Sequence, residues 1–188
     1  MLTDQKPDRI FNKTAQEEIT FLVTSKQSGG KTTLMDVTIG PKGGNPLHYH
    51  RKFSETFRVI DGELTVQVDK QIVKLKPGES AKAPISARHR FYNTSGKPVR
   101  FTCELNPASE AFENVMRIAF GLEKDGQAGP NGMPKSFVHN GILMNMGDGY
   151  FVGLFSVLEN IFRFFGRSEK AKQIEKELLE KYCSPHTT

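Results

Sequence analysis

The chain of 188 residues has no tryptophan, two cysteines and five histidines. Two cysteines, Cys103 and Cys183, cannot build the multi-bridge framework of a small secreted scaffold. Without tryptophan, the fourteen phenylalanines are the main core aromatics. A membrane span is also missing. The most apolar stretch, "YFVGLFSVLENIFRFF", is broken by Glu159, Asn160 and Arg163, whereas a span needs about 20 apolar residues in a row. The opening "MLTDQKPDRIFNKTAQEE" has no apolar segment of the secretory kind. The expectation is a cytoplasmic protein with no membrane partner. Lysine and arginine number 26 against 21 acidic residues, giving a net charge of +5 and a pI near 9.2. The basic residues are scattered among acids, with no basic stripe and no stacking motif, so nucleic acid is not an expected partner. The hydrophobic fraction of 37% and charged fraction of 25% are those of a soluble globular chain.

From Ile19 to about Leu105 the hydrophobic pattern has period two. Ile19, Phe21 and Val23 alternate with polar residues, as do Met35, Val37 and Ile39, then Phe57 and Val59, then Leu64, Val66 and Val68, then Val73 and Leu75, then Val99, Phe101, Cys103 and Leu105. Successive strand side chains point to opposite faces, so this is half-buried strand patterning. Turn signals recur at short spacing: "QSGGK", "GPKGGNP", "IDGE", "KPGES" and "TSGKP". Many short strands with regular turns predict an all-β sandwich or barrel. "SGGKTT", Ser28 to Thr33, superficially matches a phosphate loop, but Ser25 stands where the motif needs glycine and a strand follows.

After Pro107 the character changes. "ASEAFENVMRIAFGL" predicts a helix with Phe112, Val115, Met116 and Ala119 on one face. "EKDGQAGPNGMPK" reads as a loop, with His139 in the connection beyond it as a surface residue. A second helix is expected at about 149–165, nearly apolar all round and therefore packed on the barrel, on its neighbours or across a homodimer. A third is expected from Ser168, a good N-cap, with Ala171, Ile174, Leu178 and Tyr182 as its stripe. His186 falls in the tail. The expected organisation is a polar lead-in over 1–18, a barrel over 19–107 and a helical extension over 108–188.

"PLHYHRKFSET" carries the chemistry. Residues i and i+2 of a strand share a face, so His48 and His50 present two imidazoles side by side. Glu55 shares its face with Phe57 and Val59, hence points inward, where an unpaired carboxylate is costly. Downstream, Ala87, His89 and Phe91 alternate with Arg88, Arg90 and Tyr92, which turns His89 inward. Three neutral imidazoles and one carboxylate make a three-nitrogen, one-oxygen site for a divalent metal, with room for water or substrate. Phe57, Val59 and Phe91 share strand faces with these residues and are the candidate substrate-contacting wall.

Two segments resemble the paired motifs of the cupin family. "GGNPLHYHRKFSETFRVIDG" has His48, His50, Glu55 and Gly62 in register, with Gly43 displaced by one position. "GESAKAPISARHRFYN" has Gly78, Pro84, His89 and Asn93 in register, with Ser86 where the motif has glycine. The resemblance spans roughly residues 40–95. It implies an all-β core, the double-stranded β-helix (jelly-roll-like) barrel, with an α-helical C-terminal extension. It also implies that His48, His50, Glu55 and His89 hold one divalent transition metal inside the barrel: iron, manganese, nickel, copper or zinc. By the same resemblance the expected activity is dioxygenase-type oxidation of a small aromatic or hydrophobic molecule. Glu55 is then the candidate catalytic base, and a homodimer is the expected assembly. A non-redox metal enzyme, such as an isomerase or decarboxylase, and a non-catalytic ligand-binding or sensory protein are the alternatives.

Overall fold

The computed structural model describes residues 8–129, 132–153 and 155–184. His186 lies outside the described residues. The strands are β1 (Asp8–Asn12), β2 (Glu17–Val23), β3 (Thr33–Ile39), β4 (His48–His50), β5 (Ser54–Asp61), β6 (Leu64–Val68), β7 (Gln71–Leu75), β8 (Ser80–Ala83), β9 (His89–Tyr92), β10 (Val99–Asn106) and β11 (Gly149–Phe151). The helices are α1 (Ser25–Ser28), α2 (Glu110–Lys124), α3 (Phe137–Met146), α4 (Phe155–Phe165) and α5 (Glu169–Tyr182).

The strands form two antiparallel sheets, in the orders β1-β2-β3-β10-β5-β8 and β11-β4-β9-β6-β7. This is the double-stranded β-helix expected from the motifs. Alternation builds its interior: Val99, Phe101, Cys103 and Leu105 of β10 are buried, while Arg100 is exposed. Met35, Val37 and Ile39 face them from β3, and Phe57 and Val59 from β5. Val73 departs from the expected pattern and is exposed, because β7 is an edge strand with only Leu75 buried.

Helix α2 joins this core to a second one. Phe112, Met116, Ala119 and Phe120 pack on the barrel, while Val115, Ile118 and Leu122 pack against α3 and α5 through Ile142, Leu143, Ala171 and Leu178. Ser109 caps α2 through the Phe112 N–H, and Ser168 caps α5 through the Ala171 N–H. Each cap satisfies a backbone donor that the first helical turn leaves open.

Three further expectations need correction. Residues 8–12, assigned to an irregular lead-in, are β1, which pairs along β2 from Asp8–Phe21 to Asn12–Glu17; its short side-chain pattern, with Ile10 packed on the core, was too weak to read alone. The connection holding His139 is helix α3, whose N-cap is Ser136. The expected helix at 149–165 begins instead as strand β11, and helix resumes at Phe155. Helix α4 packs on its neighbours by one face only among its described residues. Glu159 and Arg163 are buried, while Leu158, Ile161, Phe164 and Phe165 are exposed. Tertiary partners for the two charged groups, described below, turn the helix this way.

Among the described residues, no helix is long and apolar enough to cross a membrane.

Candidate metal centre

The four residues singled out by spacing converge. His48 and His50 come from β4, Glu55 from β5 and His89 from β9. One ligand atom from each lies within 4.8 Å of the others. Strand pairing explains the meeting: His48 sits opposite His89, and Glu55 sits opposite Leu105 on β10. The ring centroids of His48 and His89 are 4.5 Å apart, and those of His48 and His50 4.8 Å.

Backbone carbonyls fix the tautomers. A carbonyl can only accept, so each ring nitrogen beside one must donate. His48 Nδ1 donates to Pro46 O at 2.9 Å, His50 Nδ1 to Asp148 O at 3.1 Å, and His89 Nδ1 to Ala87 O at 2.9 Å. The Nε2 atoms are left for the shared centre. His50 Nε2 is buried, has no hydrogen-bond partner, and lies 3.9 Å from Glu55 Oε1. An orphaned nitrogen beside a buried carboxylate is the arrangement a cation satisfies, and second-sphere carbonyls of this kind orient metal-binding histidines. The donor set therefore fits a divalent transition metal.

Charge is distributed unevenly over the four. Burial, with help from the neighbouring His89 and His50, pushes the His48 pKa down to about 3. Burial also lowers that of His50, against the opposing pull of Glu55. At His89 burial acts downward as well, but the hydrogen bond from Nε2 to Glu55 Oε2 at 2.8 Å outweighs it, and the net shift is upward. Burial alone would raise Glu55. The His89 hydrogen bond and the nearby imidazoles reverse that and bring it down to about 2. These shifts favour a charged His89–Glu55 pair beside two neutral imidazoles.

The surroundings are aromatic. Phe57 and Val59 are fully buried and Phe91 is half-buried, with the Phe57 ring 5.6 Å from Phe91 and 6.2 Å from His89. Two further rings escaped the sequence reading. Phe53 stacks on His50 at 4.3 Å, and Phe112 meets His50 edge-on at 5.8 Å. Phe53 lies two residues before Glu55, so extending the alternation back by one step would have found it; Phe112, on α2, leaves no local signal. Cys103 is buried, and burial first, then Glu55, raises its thiol pKa well above the ordinary value, so it is an inert core thiol. Ser86, standing at the motif glycine, keeps a glycine-like backbone with φ of 66°, and its N–H donates to His50 O at 2.7 Å.

One inward carboxylate was also missed. Glu17 continues the Ile19–Phe21 face of β2, and burial raises its pKa to about 7. It pairs with Ile39, at the opposite end of β3 from Thr33, whereas Leu105 links Thr33 to Glu55. Glu17 is not among the residues whose ligand atoms converge, although it and Glu55 both act on the Cys103 thiol.

Residues 35–104 match the family model described as a cupin domain. Over 92 residues the chain is 28% identical to quercetin 2,3-dioxygenase of Bacillus subtilis (strain 168), an alignment covering 48% of this chain and 24% of that protein. Over 97 residues it is 30% identical to polyketide synthase CurC of Streptomyces cyaneus, covering 44% of this chain and 63% of that protein. The chain thus spans about a quarter of one of these curated relatives and under two thirds of the other. Among solved structures it is similar to a predicted oxalate decarboxylase from Thermotoga maritima, with a TM-score of 0.49 at 19% identity, over 57% of this chain and 96% of that one.

Proposed function

The chain belongs to the cupin family through residues 35–104, and from that premise we propose a metal-dependent, dioxygenase-type oxidoreductase acting on a small aromatic or hydrophobic molecule. The observation that carries this reading is the convergence of three imidazole nitrogens and one carboxylate within 4.8 Å, inside a largely aromatic and aliphatic barrel. His48, His50, His89 and Glu55 hold the metal, with iron, manganese, nickel, copper and zinc all compatible with the donor set. When bound, the metal supplies Lewis-acid and oxygen-activating chemistry.

The chain's own residues do the rest. The carbonyls of Pro46, Asp148 and Ala87 hold the three rings in one tautomer. Glu55 supplies the negative charge and, at an oxygen freed from His89, a base for a substrate hydroxyl. Phe57, Val59 and Phe91 give an apolar wall that excludes water and favours a flat hydrophobic substrate. Oxidation is favoured over isomerisation because Glu55 is the only carboxylate of the cluster among the described residues, while isomerases commonly need two proton-transfer groups. The partial likeness to a quercetin dioxygenase supports the same choice. The two cysteines are free, which suits the reducing cytoplasm.

The assembly we propose is a homodimer through α4. Leu158, Ile161, Phe164 and Phe165, with the neighbouring Phe137, are between 43% and 75% exposed. At about 150–250 Å² for a large aromatic side chain, they present roughly 500 Å² of apolar surface. With a polar rim this approaches the ~800 Å² per partner of a stable interface. The two charged residues of α4 are turned inward, so two copies of this face meet without repulsion across a two-fold axis.

The test of the activity is oxygen uptake by protein loaded with iron, nickel or manganese, offered a panel of flavonols, catechols and β-diketones. Uptake with at least one metal and one panel member is expected. No uptake with any metal, together with tight binding of one panel member, would overturn oxidation in favour of a ligand-binding protein.

A further inference from the structure

Strand β4 is three residues long, yet it carries two of the four donor side chains. Toward β9 it is held by one residue pair, His48 with His89. Its other edge is covered along its whole length by β11, with Gly149 opposite His50, Tyr150 opposite Tyr49 and Phe151 opposite His48. That segment lies outside the matched residues 35–104. Without it, β4 would be a short edge strand held by a single pair.

Asp148, just before β11, acts through two of its oxygens. Its carbonyl accepts the Nδ1–H of His50, and its carboxylate accepts the backbone N–H groups of Arg51 and Lys52 at 2.7 and 2.8 Å. The residue is buried and left-handed, with φ of 51°, a conformation that persists in a non-glycine residue only where the surroundings enforce it.

Helix α4 does the enforcing. Arg163 donates from Nε to Glu159 Oε1 at 2.7 Å, from Nη1 to Met144 O at 2.6 Å, and from Nη2 to Gly149 O. The second carboxylate oxygen of Glu159 accepts the Phe151 N–H at 2.8 Å. A buried ion pair needs further hydrogen bonds to offset desolvation, and here those bonds go to both ends of β11. This also accounts for the orientation of α4, with Glu159 and Arg163 inside and Phe164 and Phe165 outside.

We infer that Glu159 and Arg163, acting through Asp148 and β11, are positioning residues for His48 and His50, so that the C-terminal extension is a working part of the metal centre. The inference rests on the proposed metal-binding reading. Full-length wild type and the variants Glu159→Gln, Arg163→Met and Asp148→Asn are to be titrated with Co²⁺ by calorimetry, and the visible spectrum of each Co²⁺-loaded protein recorded. Leu178→Ala, which loosens the helical core away from β11, serves as the stability control. The expected result is a 10- to 100-fold loss of Co²⁺ affinity and an altered spectrum in folded Glu159→Gln and Arg163→Met, with Leu178→Ala unchanged in both readouts. Should Arg163→Met fail to fold, Glu159→Gln and Asp148→Asn carry the test. Wild-type affinity and spectrum in the variants, or an equal loss in Leu178→Ala, would overturn the inference and leave the metal reading standing. No Co²⁺ binding by the wild type would overturn the metal reading itself.

Discussion

His89 holds the proton that a metal must displace. Its pKa is raised above 6.5 by Glu55, while those of His48 and His50 are lowered. Metal binding requires neutral imidazoles. At pH 6.5, the ordinary histidine value, one proton and not three therefore competes with the metal. Affinity should fall by about tenfold per pH unit as the solution is acidified, and calorimetry in two buffers of different ionisation enthalpy should count one proton released per metal; three would refute the charge assignment. Glu17 gives a second prediction. Its folded pKa, near 7, is raised from an ordinary 4.5, so the fold prefers the neutral acid, and that contribution is present below 4.5 and lost as pH rises through 7. Glu17→Gln should therefore be nearly neutral in acid and stabilising above pH 7. The gain should be about 1–2 kcal/mol, since Glu17 keeps some solvent contact and the full shift does not convert. Urea melts at two pH values decide it. Ser86→Gly should stabilise by about 1 kcal/mol, because it relieves the cost of a left-handed serine; a lower denaturation midpoint would contradict that.

At the scale of elements, α3 meets the C-terminal end of α4 at two glycines, Gly141 within α3 and Gly166 just after α4. A Cβ on Gly141 would lie 2.0 Å from Phe162 O, and one on Gly166 would lie 2.3 Å from the Gly141 carbonyl carbon. Neither contact can be relieved by turning a flexible side chain. Gly141→Ala should cost about 3 kcal/mol, the upper range for overpacking. Gly96→Ala, where a Cβ meets nothing within 4 Å, should be close to neutral. The barrel strands were legible because alternation such as Val99–Phe101–Cys103–Leu105 states both period and facing. The convergence of His48, His50, Glu55 and His89 was legible for the same reason, since spacing within short strands fixes which side chains share a face. Helix α3 was hidden because Gly141, Asn140 and His139 weaken its propensity and a Gly/Pro-rich stretch precedes it; close packing against α4 decides it instead. Strand β11 was hidden because "GYF" has no pattern of its own and is ordered by the free edge of β4.

At the scale of the molecule, the α4 face predicts its own test. Light scattering should report a dimer for the wild type, and the double variant Ile161→Glu/Phe164→Asp should be a monomer with unchanged metal content. A wild-type monomer would exclude the α4 interface. The dependence of the centre on distant residues was not legible because neither Asp148 nor Arg163 belongs to either motif. His50 and Asp148 stand 98 positions apart, and nothing local to "PLHYH" announces a partner so far along.

That separation also sets an order of events during synthesis. A ribosome adds about 5–20 residues per second, so the histidine strand emerges several seconds before the segment that closes its edge. In that interval the strand exposes unpaired backbone groups, the kind of edge that invites wrong pairing. The nascent chain has all four donor side chains long before it has the clamp, and a properly shaped site is among the last parts of the protein to mature.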